Sequence, residues 1–436
     1  MIGNKKINAL DLRTEPVDSS KPLSKNIKQK NTITVLDGVR AFACFSVIAY
    51  HINYVTNNDH IWNMSHVGPV ITAFALAGSS GVTLFFVLSG FLLFMPYAKS
   101  LLFDAPWPSI RRYYIRRAFR ILPGYYISLA LMIIFLHREY LNPDHWKQLL
   151  LFITFFMDST RSTYQAINGP FWTLAVEWQF YLILPLLALG LRWVAQRGSL
   201  QRRLNCLGLG LLGLIAWALA TRYWGHSWFL NPSQPMLLPA PLHRLALFFL
   251  YGETGKFLED FAVGMLVCVI YIFAQQEPEH MLSQICKKYS HWIWASGILW
   301  LVFAVMWPYT PLLNPLRGYI GAHSWLVEIL YATGFGLCVL ALLFRPPDLR
   351  TFFEWKPVCW FGQRSYGLYI WHLPFIVLFS SYLLPLLHIH NHYMVYGSYW
   401  IFLICILIPF GYVFYRWVEQ PSIKLGQWLI SNRIRV

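Results

Sequence analysis

Charged residues are scarce in this chain: Asp, Glu, Lys and Arg together make up 12% of 436 residues, about half the share of an ordinary soluble domain. With 57% of residues apolar and 18% aromatic, a soluble fold would have too little polar surface to cover itself. A bilayer accepts apolar surface as its own solvent. Acidic residues are scarcer still, 19 against 35 basic, for a net charge of +16. That excess would suit nucleic acid, but the basic residues sit mainly between apolar runs, where membrane loops need them, so nucleic acid is not an expected partner. Patterned cysteine is also lacking. The seven cysteines are scattered, mostly inside apolar runs, with no CxxC pair, which speaks against a disulfide framework and a zinc site. No early apolar core of a cleavable leader is present. Residues 1–33 read instead as a flexible basic cytoplasmic tail, and 423–436 as a short cytoplasmic tail with no room for a soluble domain.

What is there is a series of long apolar stretches. Ten reach the length of about 17–25 residues that a spanning helix needs: 36–56, 78–97, 120–137, 171–191, 204–220, 257–274, 292–309, 325–344, 366–387 and 398–416. An eleventh, Trp146 to Met157, is short. Loop charge decides its placement. If it stays on one side, lysine and arginine collect in alternate loops and in both tails; if it crosses, the two sides carry nearly equal numbers, against the positive-inside rule. The expected fold is therefore an all-α polytopic membrane helical bundle of about ten transmembrane helices over residues 34–422. Both termini are expected in the cytoplasm, with 146–157 an interfacial or re-entrant helix in an outer loop. A second outer loop, Thr221 to Lys256, carries Pro232, Pro235, Pro239 and Pro241 before an apolar piece from Leu245 to Tyr251. It reads as ordered but not spanning. No internal repeat is visible, which argues against transporter folds built from inverted halves.

Ionisable groups inside lipid are costly, so each is a candidate for function. In the first stretch Asp37, Arg40, Cys44 and His51 fall within about 40° of one helical face. Arg40 and His51 lie roughly 16 Å apart along the axis. That is too far to touch, but it suits two ends of one extended ligand. The plainer account pairs Asp37 with Arg40 at the interface and leaves His51 a satisfied core histidine. In the second stretch, Ser89 beside Gly90 suits packing or hydrogen bonding better than nucleophilic attack. Arg117 and Arg120 share a face of the third and suit a multiply charged phosphate, with anionic lipid headgroups as the competing ligand. Glu177 and Tyr181 share a face of the fourth among aromatic residues, where a structural ion pair is the plain alternative for Glu177. Ser365, Tyr369 and His372 share a face of the ninth. Glu419 reads as an interfacial group ending the last helix.

In order along the chain, these segments resemble the acyltransferase-3 family of bacterial integral membrane proteins. The matching pieces are Asp37-Gly38-x-Arg40 followed by His51, the run Phe85–Phe91, Arg117-x-x-Arg120 with Pro123, and Trp172–Glu177 with Phe180, Tyr181 and Pro185. Phe261–Met265, Ser365–Pro374 and Glu419-x-Pro421 complete the set. Thr83 departs from the family, which more often has an acidic or amide residue there. The resemblance covers about residues 34–422. It implies transfer of an acyl group, usually acetyl, from cytoplasmic acyl-CoA to a hydroxyl of a cell-surface glycan, a lipid-linked sugar or a small metabolite. It also implies that His51 is the catalytic histidine and that Arg40, Arg117 and Arg120 bind the donor.

With the residue reading, His51 and Glu177 are the catalytic candidates. Glu177 is expected to orient His51, line the acceptor site or balance a buried cation. Asp37, Arg40, Ser89, Arg117, Arg120, Tyr181, Ser365, Tyr369 and His372 are the substrate-binding candidates, and His372 is expected to matter less than His51. No metal and no permanently bound cofactor are expected; acyl-CoA, ordinarily acetyl-CoA, is a co-substrate. Other expected partners are the hydroxyl-bearing acceptor and membrane lipid, and a homo-oligomer is left open. The expected location is the bacterial cytoplasmic membrane. The alternative reading is a transporter or flippase of a polar lipid or sugar, which also needs polar residues inside a bundle.

Overall fold

A computed structural model describes residues 33–58, 68–195, 198–232, 238–308, 324–344 and 347–432. The expected basic tail through residue 32, Pro235 and the last four residues lie outside them. The described residues form helices and no strand. Nine helices are long and apolar enough to cross a membrane, and a pair bent by 68° makes a tenth. In chain order the spans are α1 (Thr34–Asn58), α2 (Gly81–Phe103), α3 (Ile110–Phe135), α4 (Phe171–Ala195), α5 (Leu200–Leu230), α6 (Leu258–Gln276), α7 (Ser290–Met306), α8 (Val327–Phe344), α9 (Ser365–Leu378) and α10 (His392–Phe402, running on to Asn432). The bend lies between Met281–Lys288 and α7. The chain is thus a multi-pass, all-α membrane protein.

The short apolar stretch does not span. Trp146–Ile153 is a two-turn helix tied to α3, where the hydroxyls of Tyr125 and Tyr126 donate to the Phe152 and Ile153 carbonyls at 2.8 Å each. Ala240–Leu250 is likewise ordered and too short to cross. The loops after α3 and after α5 meet: Lys256 is ion-paired with Asp158 and donates to Ser159 Oγ at 2.9 Å. Gln179 Nε2 donates to the other Asp158 oxygen at 2.8 Å. Burial draws the Lys256 ammonium below its ordinary range, and Asp158 offsets part of that. Two loops pinned by a buried ion pair lie on the same face of the membrane.

A second constraint comes from the register of α1 and α9. The Cys44 thiol lies 3.7 Å from the Ser365 carbonyl, and His51 lies 3.1 Å from His372. Seven residues separate the first members of these contacts and seven separate the second, so the two helices run parallel. Parallel neighbours need an even number of crossings from one to the other, which a first and a ninth span satisfy.

Small residues set the tight crossing of α2 and α6. A Cβ on Gly90 of α2 would sit 2.1 Å from the Phe261 carbonyl oxygen of α6, and one on Gly264 would sit 2.0 Å from that of Val87. Each glycine thus admits the other helix's backbone, the usual means of tight helix association in lipid. Phe261 also stacks on Phe180 of α4 at 3.9 Å between centroids, which fixes α4 against the same pair.

Three wide π-turns interrupt the last two spans, at Phe379–Leu383, Leu403–Leu407 and Tyr415–Glu419. Each ends two residues before a proline: Pro385, Pro409 and Pro421. Proline lacks an N–H and its ring crowds the carbonyl four residues back. A widened turn relieves both problems without ending the helix. This corrects the expectation for Glu419. The helix does not stop there; Glu419 is buried, 1% exposed, and faces α9, where a Cβ on Gly367 would approach its Oε1 to 2.9 Å. The segment expected as a short tail from 423 is also helical through Asn432 and packs Gly426 against Phe119 of α3.

Candidate functional site

Four spans, α1, α2, α3 and α4, together with α9 line a cavity of about 290 Å³. Eight of the eleven residues singled out in the sequence line it: Arg40, Ser89, Arg117, Arg120, Glu177, Tyr181, Ser365 and Tyr369. Of the other three, Asp37 contacts Arg40, His372 contacts Tyr369, and His51 contacts His372.

Asp37 stands behind Arg40, with Oδ1 3.0 Å from the guanidinium. Its Oδ2 accepts from Gln363 Nε2 at 3.2 Å. Thus Asp37 orients Arg40, and Arg40 itself lines the cavity. Arg117 and Arg120 differ. Among the described residues neither guanidinium has a hydrogen-bond or ion-pair partner, and Arg117 only overlies the Tyr181 ring at 5.9 Å. Arg40, Arg117 and Arg120 lie within electrostatic reach of one another. Two guanidinium groups without a protein partner among the described residues, at a partly apolar cavity, suit an oxyanion as ligand.

Glu177 is held rather than free. The Ser89 hydroxyl donates to its Oε1 at 2.6 Å, and the Tyr181 hydroxyl donates to the same oxygen. Oε2 has no protein partner among the described residues. Among the described residues no hydrogen bond links Glu177 to His51; its partners are Ser89 and Tyr181. Ser89 is a donor to Glu177, in keeping with the hydrogen-bonding role expected of it. Thr173, Glu177 and Tyr181 follow one another at four-residue spacing on α4, and Thr173 Oγ1 lies 2.8 Å from the Tyr369 hydroxyl. Thr173 was not singled out in the sequence, although its spacing from Glu177 carried the signal. Tyr366 was also missed; it lines the cavity and donates to the Ile121 carbonyl at 2.6 Å. Thr83, where the family pattern is broken, still makes a polar contact, donating to Glu328 Oε2 at 2.7 Å.

His51 and His372 meet one turn beyond Tyr369. The His51 Nδ1 is 2.9 Å from the Val47 carbonyl oxygen and 3.1 Å from His372 Nε2. The His372 Nδ1 is 2.6 Å from the Tyr369 carbonyl oxygen, and its ring lies 5.5 Å from that of Tyr369. His372 is completely enclosed and His51 half-buried. The shared face of α9 therefore divides: Ser365 and Tyr369 line the cavity, and His372 turns to His51.

A family model described as an acyltransferase domain matches residues 33–416. The chain is similar to the peptidoglycan O-acetyltransferase OatA of Listeria monocytogenes, 26% identical over 79% of this chain and 49% of that protein. It is also similar to the O-acetyltransferase OatA of Staphylococcus aureus, 23% identical over 90% of this chain and 57% of that protein. The chain thus spans about half the length of the curated relatives it matches. No solved structure matches.

Proposed function

Because the chain belongs to the acyltransferase-3 family, we propose that it moves an acetyl group from acetyl-CoA to a hydroxyl of a cell-surface glycan, with peptidoglycan the acceptor class that its relatives' names supply. The observation that carries this reading is the unpaired couple Arg117 and Arg120 at the cavity. They suit the phosphates of a CoA ester, with Arg40 held ready by Asp37. The pantetheine arm follows the cavity along Ser89, Glu177 and Tyr181 towards Tyr369, and the thioester comes to His51. His51 removes the proton from the acceptor hydroxyl. The alkoxide forms a new C–O bond at the thioester carbonyl, the C–S bond breaks, and the proton passes to the departing CoA sulfur.

The working orientation has both termini and the arginines of α3 in the cytoplasm, where acyl-CoA is supplied, in the cytoplasmic membrane of a bacterium. Tags inserted within 158–170 should then be accessible only from outside, and tags at either terminus only from inside. Labelling of 158–170 from the inside would overturn the orientation.

The test of the reading itself uses protein in nanodiscs of neutral lipid, with radiolabelled acetyl-CoA and solubilised peptidoglycan fragments. Label should pass to the glycan as a base-labile ester, with one free CoA thiol released for each ester formed. Glycan left unlabelled while CoA stays acylated would overturn it. Arg117→Lys and Arg120→Lys should each weaken acetyl-CoA binding about tenfold to a hundredfold, the value of one charge-assisted contact at a planar fork that lysine cannot reproduce. Arg111→Lys and Arg112→Lys, both on the exposed start of α3, should change it little. Equal, small effects at all four positions would favour simple attraction to anionic lipid, where only charge counts.

A further inference from the structure

We infer that His372 is a positioning residue for His51: it accepts a hydrogen bond from His51 Nδ1–H, holds the ring with Nε2 towards the reacting groups, and shares the positive charge when Nε2 takes a proton. This rests on the proposed role of His51 as the base and adds to it the partner on which that base depends.

The hydrogen positions follow from what each neighbour can do. A carbonyl oxygen only accepts. His51 Nδ1 sits 2.9 Å from the Val47 carbonyl, so Nδ1 carries a hydrogen. His372 Nδ1 sits 2.6 Å from the Tyr369 carbonyl, so it carries one as well. His51 Nδ1 and His372 Nε2 are 3.1 Å apart, so the one hydrogen on Nδ1 is shared between the Val47 carbonyl and His372 Nε2 in a three-centre bond. His372 Nε2 must then present its lone pair. The opposite placement would set two lone pairs or two hydrogens face to face at one of these three contacts. A single chain results, from the Tyr369 carbonyl through His372 to His51, and it leaves His51 Nε2 as the basic nitrogen.

Among the described residues no carboxylate is hydrogen-bonded to His51 or His372. In Ser-His-Asp triads a buried Asp orients the histidine and stabilises the imidazolium. Here the nearest catalytic candidate of that type, Glu177, is occupied by Ser89 and Tyr181. A carboxylate enclosed in a membrane bundle carries a heavy desolvation cost. A neutral imidazole does not, and its lone pair still accepts from the imidazolium Nδ1–H as His51 becomes charged. The fully enclosed ring of His372 is held on its far side by the Tyr369 carbonyl, so its lone pair is aimed before the proton arrives.

Two variants of similar size separate the roles. His372→Leu removes the acceptor, whereas the side-chain oxygen of His372→Gln reaches the place of Nε2. With acetyl-CoA in nanodiscs, His372→Leu should lower kcat about tenfold to a hundredfold, the worth of one hydrogen bond to a charged group, with KM for acetyl-CoA changed less than about threefold. His372→Gln should regain most of that loss. Nitrogen-15 spectra of ring-labelled unmodified protein should show both His51 and His372 protonated at Nδ1. A His372→Leu protein with undiminished kcat, or a hydrogen on Nε2 of either ring, would overturn the inference. If His51 proved dispensable, the reading of the base would fail first; if only His372 did, the positioning role alone would fail.

Discussion

Replacing His51 by alanine should lower acyl transfer by about 10²- to 10⁴-fold, the range a general base contributes, while the variant inserts and folds as before. The reasons lie in its setting. His51 hydrogen-bonds inside its own helix, to Val47, and to one partner outside it, His372. Loss of the ring leaves His372 as an enclosed neutral group, a modest cost compared with an unpaired buried charge. Arg40 stands about three turns away along α1, and Arg117 and Arg120 are on α3, so acetyl-CoA affinity should change little. The measurement is turnover with acetyl-CoA at saturating donor, together with the elution profile of the purified variant. Turnover within a fewfold of the unmodified protein would remove His51 from the reaction.

The second large effect is on the fold and lies where α2 crosses α6. Gly264→Ala places a methyl carbon 2.0 Å from the Val87 carbonyl oxygen, and Gly90→Ala places one 2.1 Å from that of Phe261. These are backbone atoms in the middle of helices, so no side chain can swing away. The helices must separate, at a cost above about 3 kcal/mol, the upper range of ordinary overpacking. Each variant should yield little monodisperse protein and a sharply lowered Tm. Gly208→Ala and Gly213→Ala on α5, where an added Cβ meets nothing within 4 Å, should be neutral or slightly stabilising, since alanine favours helix over glycine. Equal behaviour of the two sets would mean that the crossing is looser than described. Activity should fall with the folded fraction, because α2 also supplies Ser89 to the cavity.

Much of this could be read from the sequence, and what could not be read has identifiable causes. Loop charge and apolar length sufficed for the spans, because the bilayer imposes both on the chain locally. Helical spacing placed Arg117 with Arg120 and Glu177 with Tyr181, because neighbours at three or four residues are fixed by the helix itself. Spacing says which face a residue occupies and nothing about which helix lies opposite. Hence spacing gives no sign that the histidines of α1 and α9 meet, and it leaves three roles open for Glu177, whose partners are Ser89 and Tyr181. Glu419 was misplaced for a different reason. A proline ordinarily favours a helix end, but the π-turn before Pro421 carries the helix onward and turns Glu419 inward against Gly367.

The parallel contact of α1 with α9 also bears on how the protein is made. His51 and His372 are separated by 321 positions, so during synthesis α1 must reside in the bilayer long before its partner emerges from the ribosome. It is equipped to wait. Arg40 is neutralised by Asp37 one turn earlier on the same helix, and His51 is satisfied by the Val47 carbonyl one turn behind it. The costliest groups of the first span thus carry their own partners through membrane insertion. The contact between His51 and His372 forms only when the ninth span docks, so a chain interrupted anywhere before that point would occupy the membrane without this pair.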